Sequence, residues 1–275
     1  MRKTELLIPV GNKECLLAAI HNGADAVYLG GKKFGARAYS NNFDEQEMIE
    51  AIKLCHLYNV KIYVTVNTLI YEYEIDALME YVEFLHKNNV DALIMQDFGM
   101  FDLVRKTYPN MELHASTQMH IHNLDGTQLM ERLGMKRVVL ARELSLEEII
   151  TMREKIPAEL DTEAFIQGAM CISYSGRCLL SNYMTQRDAN QGACSHPCRW
   201  NYSLVEETRP GEFMDVYENE RGTFIFNSKD LCMIEHIPEL VKSGISSFKI
   251  EGRVKTEYYV ATVVGAYRRE IDRYF

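Results

Sequence analysis

The chain has little proline, little glycine and one tryptophan: 6, 16 and 1 among 275 residues. That scarcity excludes a collagen-like repeat and a long flexible linker. No apolar run approaches the ~18 residues of a membrane span. The leading run Leu6–Val10 is too short for the core of a signal peptide, so a cytoplasmic protein with no membrane span is expected. Positive charge is also in deficit, with 30 Lys and Arg against 39 Asp and Glu and a net charge of −9. A nonspecific duplex binder normally carries a basic face, so the balance argues against one and leaves room only for a local basic groove. What is present is ordinary for a folded protein: 47% hydrophobic and 10% aromatic residues. A chain of this length buries a full core without disulfide staples.

The hydrophobic pattern repeats. A short β-branched run is followed by a segment with helical spacing, and this happens eight times. The runs are Leu6–Val10, Ala26–Leu29, Lys61–Val66, Asp91–Met95, Glu112–Ser116, Arg137–Ala141, Leu160–Gln167 and Ser247–Ile250. Asp44 with Glu47 and Ser145 with Glu148 have capping-box spacing and mark two helix starts. Alternating units of this kind imply parallel strands. Eight of them in about 250 residues predict a (β/α)8 TIM-barrel-like domain over 1–275. A doubly wound open sheet is the alternative. It would normally show a glycine-rich phosphate turn after its first strand, and no such motif occurs. Gly30-Gly31-Lys32-Lys33 reads as a tight turn. A Cys-rich insertion, 168–245, follows the seventh strand, with Tyr202–Val205 as one strand of a small hairpin.

Four of the seven cysteines, Cys171, Cys178, Cys194 and Cys198, fall in that insertion with spacing C-x6-C-x15-C-x3-C, and Cys232 closes it. Seven cysteines in a reducing compartment are not a disulfide set. Thiolates in this number suit either an iron–sulfur cluster or structural zinc, and spacing alone leaves both open. Cys15 and Cys55 sit at apolar helical positions and read as core.

The run Glu163-Ala-Phe-Ile-Gln-Gly168-Ala-Met-Cys171, followed by Gly176-Arg-Cys178-Leu-Leu-Ser181, resembles the 19-residue signature of the collagenase-like peptidase family U32. Further likeness runs through Gly23–Gly30, Val64–Thr68, Asn227–Cys232 and Lys249–Arg253, so it spans nearly the whole chain. The resemblance implies a barrel-like catalytic domain and a 4Fe–4S cluster on Cys171, Cys178, Cys194 and a fourth cysteine. The family-like surroundings of Cys232 favour it over Cys198. The resemblance also implies one of several activities: peptidase action, or oxygen-independent hydroxylation of a tRNA wobble uridine, a ribosomal RNA cytidine or a quinone ring. The likeness is greatest to the tRNA branch, which forms 5-hydroxyuridine and requires prephenate as a metabolite. A noncatalytic partner subunit of a related protein is a further possibility. Longer members continue into a C-terminal domain, which this chain, ending at Phe275, lacks.

The residues themselves offer a peptidase little. There is no G-x-S-x-G and no H-E-x-x-H. Ser246-x-x-Lys249 falls in a predicted strand, and cysteines that ligate iron are unavailable as nucleophiles. Candidate chemical groups are polar residues at strand ends, where a barrel builds its site: Asn67, His114, Glu163, Glu251 and Arg253 as catalytic candidates. Each also has a structural reading. Asn67 can cap a helix, His114 can be a bonded core residue, Glu163 can form a salt bridge inside the barrel, and Glu251 can pair with Arg253. Arg37, Arg142, Arg177 and Arg199 are candidates for binding RNA phosphate or an anionic metabolite such as prephenate, with Trp200 stacking a base.

Overall fold

In a computed structural model, residues 4–38, 40–200, 202–205, 207–215 and 230–275 are described. Asn227–Lys229, which carried part of the family likeness, lie outside them.

Eight parallel strands close into a barrel. In chain order they begin β1 (Glu5–Pro9), β2 (Ala26–Leu29), β3 (Lys61–Val66), β4 (Ala92–Met95), β5 (Glu112–Ala115), β6 (Arg137–Val139) and β7 (Asp161–Gly168). Then come the short strands β8 (Ser203–Val205), β9 (Phe213–Asp215) and β10 (Leu231–Cys232), and β11 (Ser247–Ile250) completes the barrel. β11 lies between β7 and β1, and β6 pairs with β7 to close the ring. β8 and β9 form the expected antiparallel hairpin, and β10 adds antiparallel to the edge of β7.

The helices are α1 (Lys13–His21), α2 (Glu45–Leu57), α3 (Ile75–Lys87), α4 (Phe98–Thr107), α5 (Leu124–Leu133), α6 (Leu146–Arg153), α7 (Leu180–Thr185), α8 (Ile237–Lys242) and α9 (Glu257–Tyr274). Their starts are set by local chemistry. The Asp44 and Ser145 boxes form as the spacing predicts, and Asn12, Asp97, Asn123 and Thr256 each accept a hydrogen bond from an orphan N–H of the following turn. The main core is the shell between barrel and helices, where the outward faces of the strands meet residues such as Leu16, Ile52, Leu78 and Val264.

The barrel interior is unusual in being largely polar. Leu7, Ala26, Tyr28, Tyr63, Ala92 and Ile94 form its apolar cluster. Beside them lies a buried ion network. Arg137, 2% exposed, is bound by Glu5, Asp161 and Glu163, and Lys249 donates to Glu163 at 2.6 Å. Glu5 also accepts from Tyr63 at 2.7 Å and from Ser247 at 2.9 Å. Every charge here has an opposite partner, which is the condition for keeping ions out of water. Among the described residues no helix is long and apolar enough to cross a membrane.

Candidate functional site

The C-terminal ends of the strands converge on a small pocket of about 70 Å³ at the barrel mouth. Two unlike walls face each other across it. One wall is cationic. Alternation along β11 and the residues after it brings Lys249, Glu251 and Arg253 into the mouth, while the extra residue at Ile166 makes a bulge in the facing strand β7. Arg37 comes from the loop after β2, and Arg142 from the loop after β6. The opposite wall is neutral and hydrogen-bonding: Asn67 after β3, Ser116, Thr117 and Gln118 after β5, and the Ser175-Gly176 turn of the insertion.

Glu251 bridges Arg37 and Arg142, with 2.9 Å to each. Burial opposes its ionisation, but the two guanidinium charges overcome this and hold its pKa down to about 2. The triad is further tied to main chain, with Arg37 donating to the Ala36 carbonyl and Arg142 to that of Ala169. The same three residues and Cys171 also line a second cavity of about 180 Å³. The Arg–Glu–Arg bridge is therefore the partition between the two chambers.

Arg253 is treated differently. It is 4% exposed and donates to Thr65 Oγ1 at 3.0 Å and to Asn42 Oδ1, while its Nε has no partner. No carboxylate among the described residues forms an ion pair with it. Burial lowers its pKa to about 10, with the Arg37 charge adding to the effect and Tyr28 and Glu251 opposing it. Gly30 makes room for it, since a Cβ there would lie 2.4 Å from Arg253 Nη2 and 2.9 Å from Thr65 Oγ1. Lys249 forms the pocket floor, 4.4 Å above the centre of the Tyr28 ring.

The second cavity belongs to the cysteines. Cys171, Cys178, Cys194 and Cys198 line it with Met170, Ile172, His196 and Pro197. Burial raises the Cys198 thiol, and the neighbouring Cys171 and Cys194 raise it further. Burial also raises Cys171, while Arg142 and Arg37 oppose it. Cys232 does not line this cavity. It sits on β10 opposite Gln167, in a two-residue ladder with β7. Among the described residues no three His, Cys, Asp or Glu side chains converge as a single metal ion requires.

The chamber walls are held by the insertion's own contacts. Tyr174 packs edge-on against His120 and His122, and Arg177 Nε donates to His120 Nε2 at 3.3 Å. Arg199 binds Asp230 at 3.1 Å and the Met170 carbonyl at 3.3 Å.

Of the residues singled out in the sequence, Asn67, Glu251, Arg253, Arg37 and Arg142 meet at the mouth. Two expectations are corrected. Glu163 is fully buried in the ion network below the floor and reaches the pocket only through Lys249. His114 is likewise fully buried, its Nε2 2.8 Å from Glu112 Oε1 and its ring edge against Tyr63. Both are structural because their side chains point inward from the middle of the barrel, not from a strand end. Glu251 and Arg253 do not pair with each other, because two other arginines claim the carboxylate. Arg177 and Arg199 lie on the insertion and brace it, with Arg199 lining the cysteine cavity. Sequence reading missed Lys249 as a pocket residue. The alternation Lys249, Glu251, Arg253 on one strand face was its visible signal.

The model of peptidase family U32 matches residues 11–275. The chain belongs to peptidase family U32. Within it, a tRNA hydroxylation protein of Bacillus subtilis is 45% identical over 273 residues, covering 99% of this chain and 64% of that protein. A 23S rRNA 5-hydroxycytidine synthase of Escherichia coli is 37% identical, covering 98% of this chain and 39% of its own length. The chain thus spans under two thirds of the length of either relative. The solved structure of the U32 peptidase Mk0906 superposes with a TM-score of 0.60 at 13% identity, over 92% of this chain and 94% of that one. That likeness shows a shared barrel fold.

Proposed function

We propose that this chain is the barrel of an RNA-base hydroxylase, acting on a tRNA wobble uridine without dioxygen and with prephenate as co-substrate. The observation that carries the reading is Arg253, a buried guanidinium with no carboxylate partner among the described residues, lining a pocket beside the cysteine cavity. A buried cation without a counter-ion is costly, so the pocket is built for an anionic ligand. Arg253 and Lys249 offer donors to the carboxylates of such a metabolite. The neutral wall opposite offers hydroxyls and amides to an uncharged ring. Two relatives named for RNA hydroxylation or hydroxycytidine synthesis, each matched along nearly all of this chain, support RNA as the second substrate.

The cysteine cavity supports a 4Fe–4S cluster as cofactor. Several thiols spread around one chamber suit a multi-iron group better than a lone zinc, which needs ligands converging at about 2.3 Å. Cys171, Cys178 and Cys194 would hold it. Cys232 is the fourth ligand by its family-like segment, and its two-residue ladder is little to give up. Cys198 is the second reading, because it lines the cavity. When bound, the cluster supplies one-electron chemistry. The chain's own residues do the rest: Arg253 and Lys249 bind and orient the anion, Arg37–Glu251–Arg142 separates the two chambers, and the insertion covers the mouth.

A peptidase finds no support in the site. Among the described mouth residues no Ser, Thr or Cys side chain is hydrogen-bonded to a His or carboxylate that would activate it.

The test is anaerobic incubation of the protein with unmodified tRNA, with and without prephenate, followed by nucleoside mass spectrometry. The expected result is 5-hydroxyuridine that requires prephenate and is lost in Arg253→Met. Product formed equally well without prephenate would remove the metabolite from the reading. Peptide hydrolysis without RNA product would overturn it.

A further inference from the structure

We propose that Arg37, Glu251 and Arg142 couple the two chambers electrostatically, so that an anion bound in the mouth and an electron added to the cysteine-held group oppose each other. This rests on the metabolite and cluster readings above and adds the regulation of that site.

The starting observation is where positive charge lies. The chain has a net charge of −9, yet both chambers are lined the other way. Arg37, Arg142, Lys249 and Arg253 face the mouth pocket, and Glu251 is the one acidic side chain there among the described residues. The cysteine cavity repeats the pattern, with Arg37, Arg142, Arg199 and Lys255 against the same Glu251. Arg37, Arg142 and Glu251 are common to both chambers, and so is Cys171. Cavities that share these lining residues are separated by little more than one layer of side chains. That layer is fixed in place. Glu251 holds each arginine at 2.9 Å, and each arginine also donates to a main-chain carbonyl. The side chains of Arg37, Arg142 and Glu251 are 28%, 6% and 13% exposed, so salt screens them weakly.

Two guanidinium charges against one carboxylate leave the layer with a surplus of one positive charge. The surplus acts on both sides. It favours an anion in the mouth. It also favours an electron on a group held at Cys171, because reduction adds one negative charge and nearby positive charge raises the potential of such a group. A bound anion acts in the opposite sense across the same layer. An anion already in the mouth therefore makes reduction harder. By linkage, reduction weakens the binding of the anion by the same factor. The oxidised protein is then the form that takes up the anion, and reduction loosens it.

The experiment is a redox titration of anaerobically purified wild-type protein, followed by its visible spectrum. Dithionite supplies the electron and is itself oxidised to sulfite, with mediators present. One sample holds saturating prephenate and the other sodium chloride at equal ionic strength. Prephenate is expected to lower the midpoint potential by about 59 mV, which is a tenfold linkage for one electron. Arg37→Gln should lower both the potential of the prephenate-free protein and the affinity of the oxidised protein for prephenate, the latter read by calorimetry. Lys255→Gln, which changes the cysteine side only, should lower the potential and leave prephenate affinity unchanged. If Arg37→Gln fails to fold, the wild-type shift carries the test. A potential unmoved by bound prephenate, or an Arg37→Gln protein in which only one of the two quantities falls, would overturn the coupling and leave both readings standing. Protein without iron would overturn the cluster reading, and a wild type that binds no prephenate would overturn the metabolite reading, each taking the coupling with it.

Discussion

A guanidinium can be recognised in a sequence, but its counter-ion cannot. Arg253 and Arg142 are both buried, yet among the described residues Arg142 has a carboxylate partner, Glu251, and Arg253 has none. This makes Arg253 sensitive to its cradle. Gly30→Ala places a methyl against Arg253 Nη2, and the guanidinium must shift. On the proposed function, hydroxylation by this variant should fall at least tenfold, and its melting temperature should change little, because the clash is with side-chain ends and not with backbone. Parallel activity and melting measurements check this. His114 gives a pH prediction of opposite kind. Burial lowers its pKa below 6.5, with Glu112 opposing. The folded state therefore binds fewer protons than the unfolded state, so stability is full above about pH 6.5 and declines as pH falls below it. The decline should be smaller in His114→Gln, as read by urea unfolding at pH 7 and pH 5.5, with His120 and His196, lowered by burial in the same direction, leaving a remainder.

At the level of the element, local signals were reliable wherever local chemistry sets the boundary. The spacing Asp44-x-x-Glu47 predicts a helix start, and the structure has it, with the Glu47 N–H donating to Asp44 Oδ1 and the Asp44 N–H to Glu47 Oε2, both at 2.9 Å. Asp44→Ala should cost about 1 kcal/mol and lower the melting temperature by about 2 °C, a change calorimetry resolves. The insertion is the contrary case. Its hairpin is legible as alternation, but α7 and the clasp of Tyr174 on His120 and His122 are not. The clasp depends on residues more than 50 positions earlier in the chain, and α7 is tied to Arg187 and Ser195 through Ser181. The same holds for β10: nothing local says that Leu231 and Cys232 add to the edge of β7.

For the whole molecule, the barrel is held from within by charge as well as from without by apolar packing. Glu163 joins Lys249 and Arg137, and burial, which opposes its ionisation, is outweighed by those two cations. Glu163→Gln leaves both with one fewer anion. It should destabilise the fold by about 3–5 kcal/mol, and denaturant titration checks this. Loss of stability on that scale is expected of a structural network and not of a residue at the mouth. Metal content tests the other chamber. Anaerobically purified wild-type protein should hold about four iron and four sulfide per chain. Cys171→Ala and Cys232→Ala should lose them and Cys198→Ala should keep them. The reverse result for the last two would make Cys198 the fourth ligand.

The sequence by itself determined the barrel, because the alternation of buried runs and capped helices is local and repeats eight times. It determined the family, whose signature is contiguous, and it singled out most of the cations that meet at the mouth. Only the tertiary structure decided which polar residues face the pocket and which are locked beneath it. His114 and Glu163 belong to the inner network, while Lys249, Thr117 and Gln118 line the pocket. The physical reason is that side-chain direction in a closed barrel depends on strand register and on the bulge in β7. The partner of each charge comes from strands and loops far away in the sequence. Pairing, burial and the atoms left unpaired are properties of that closure.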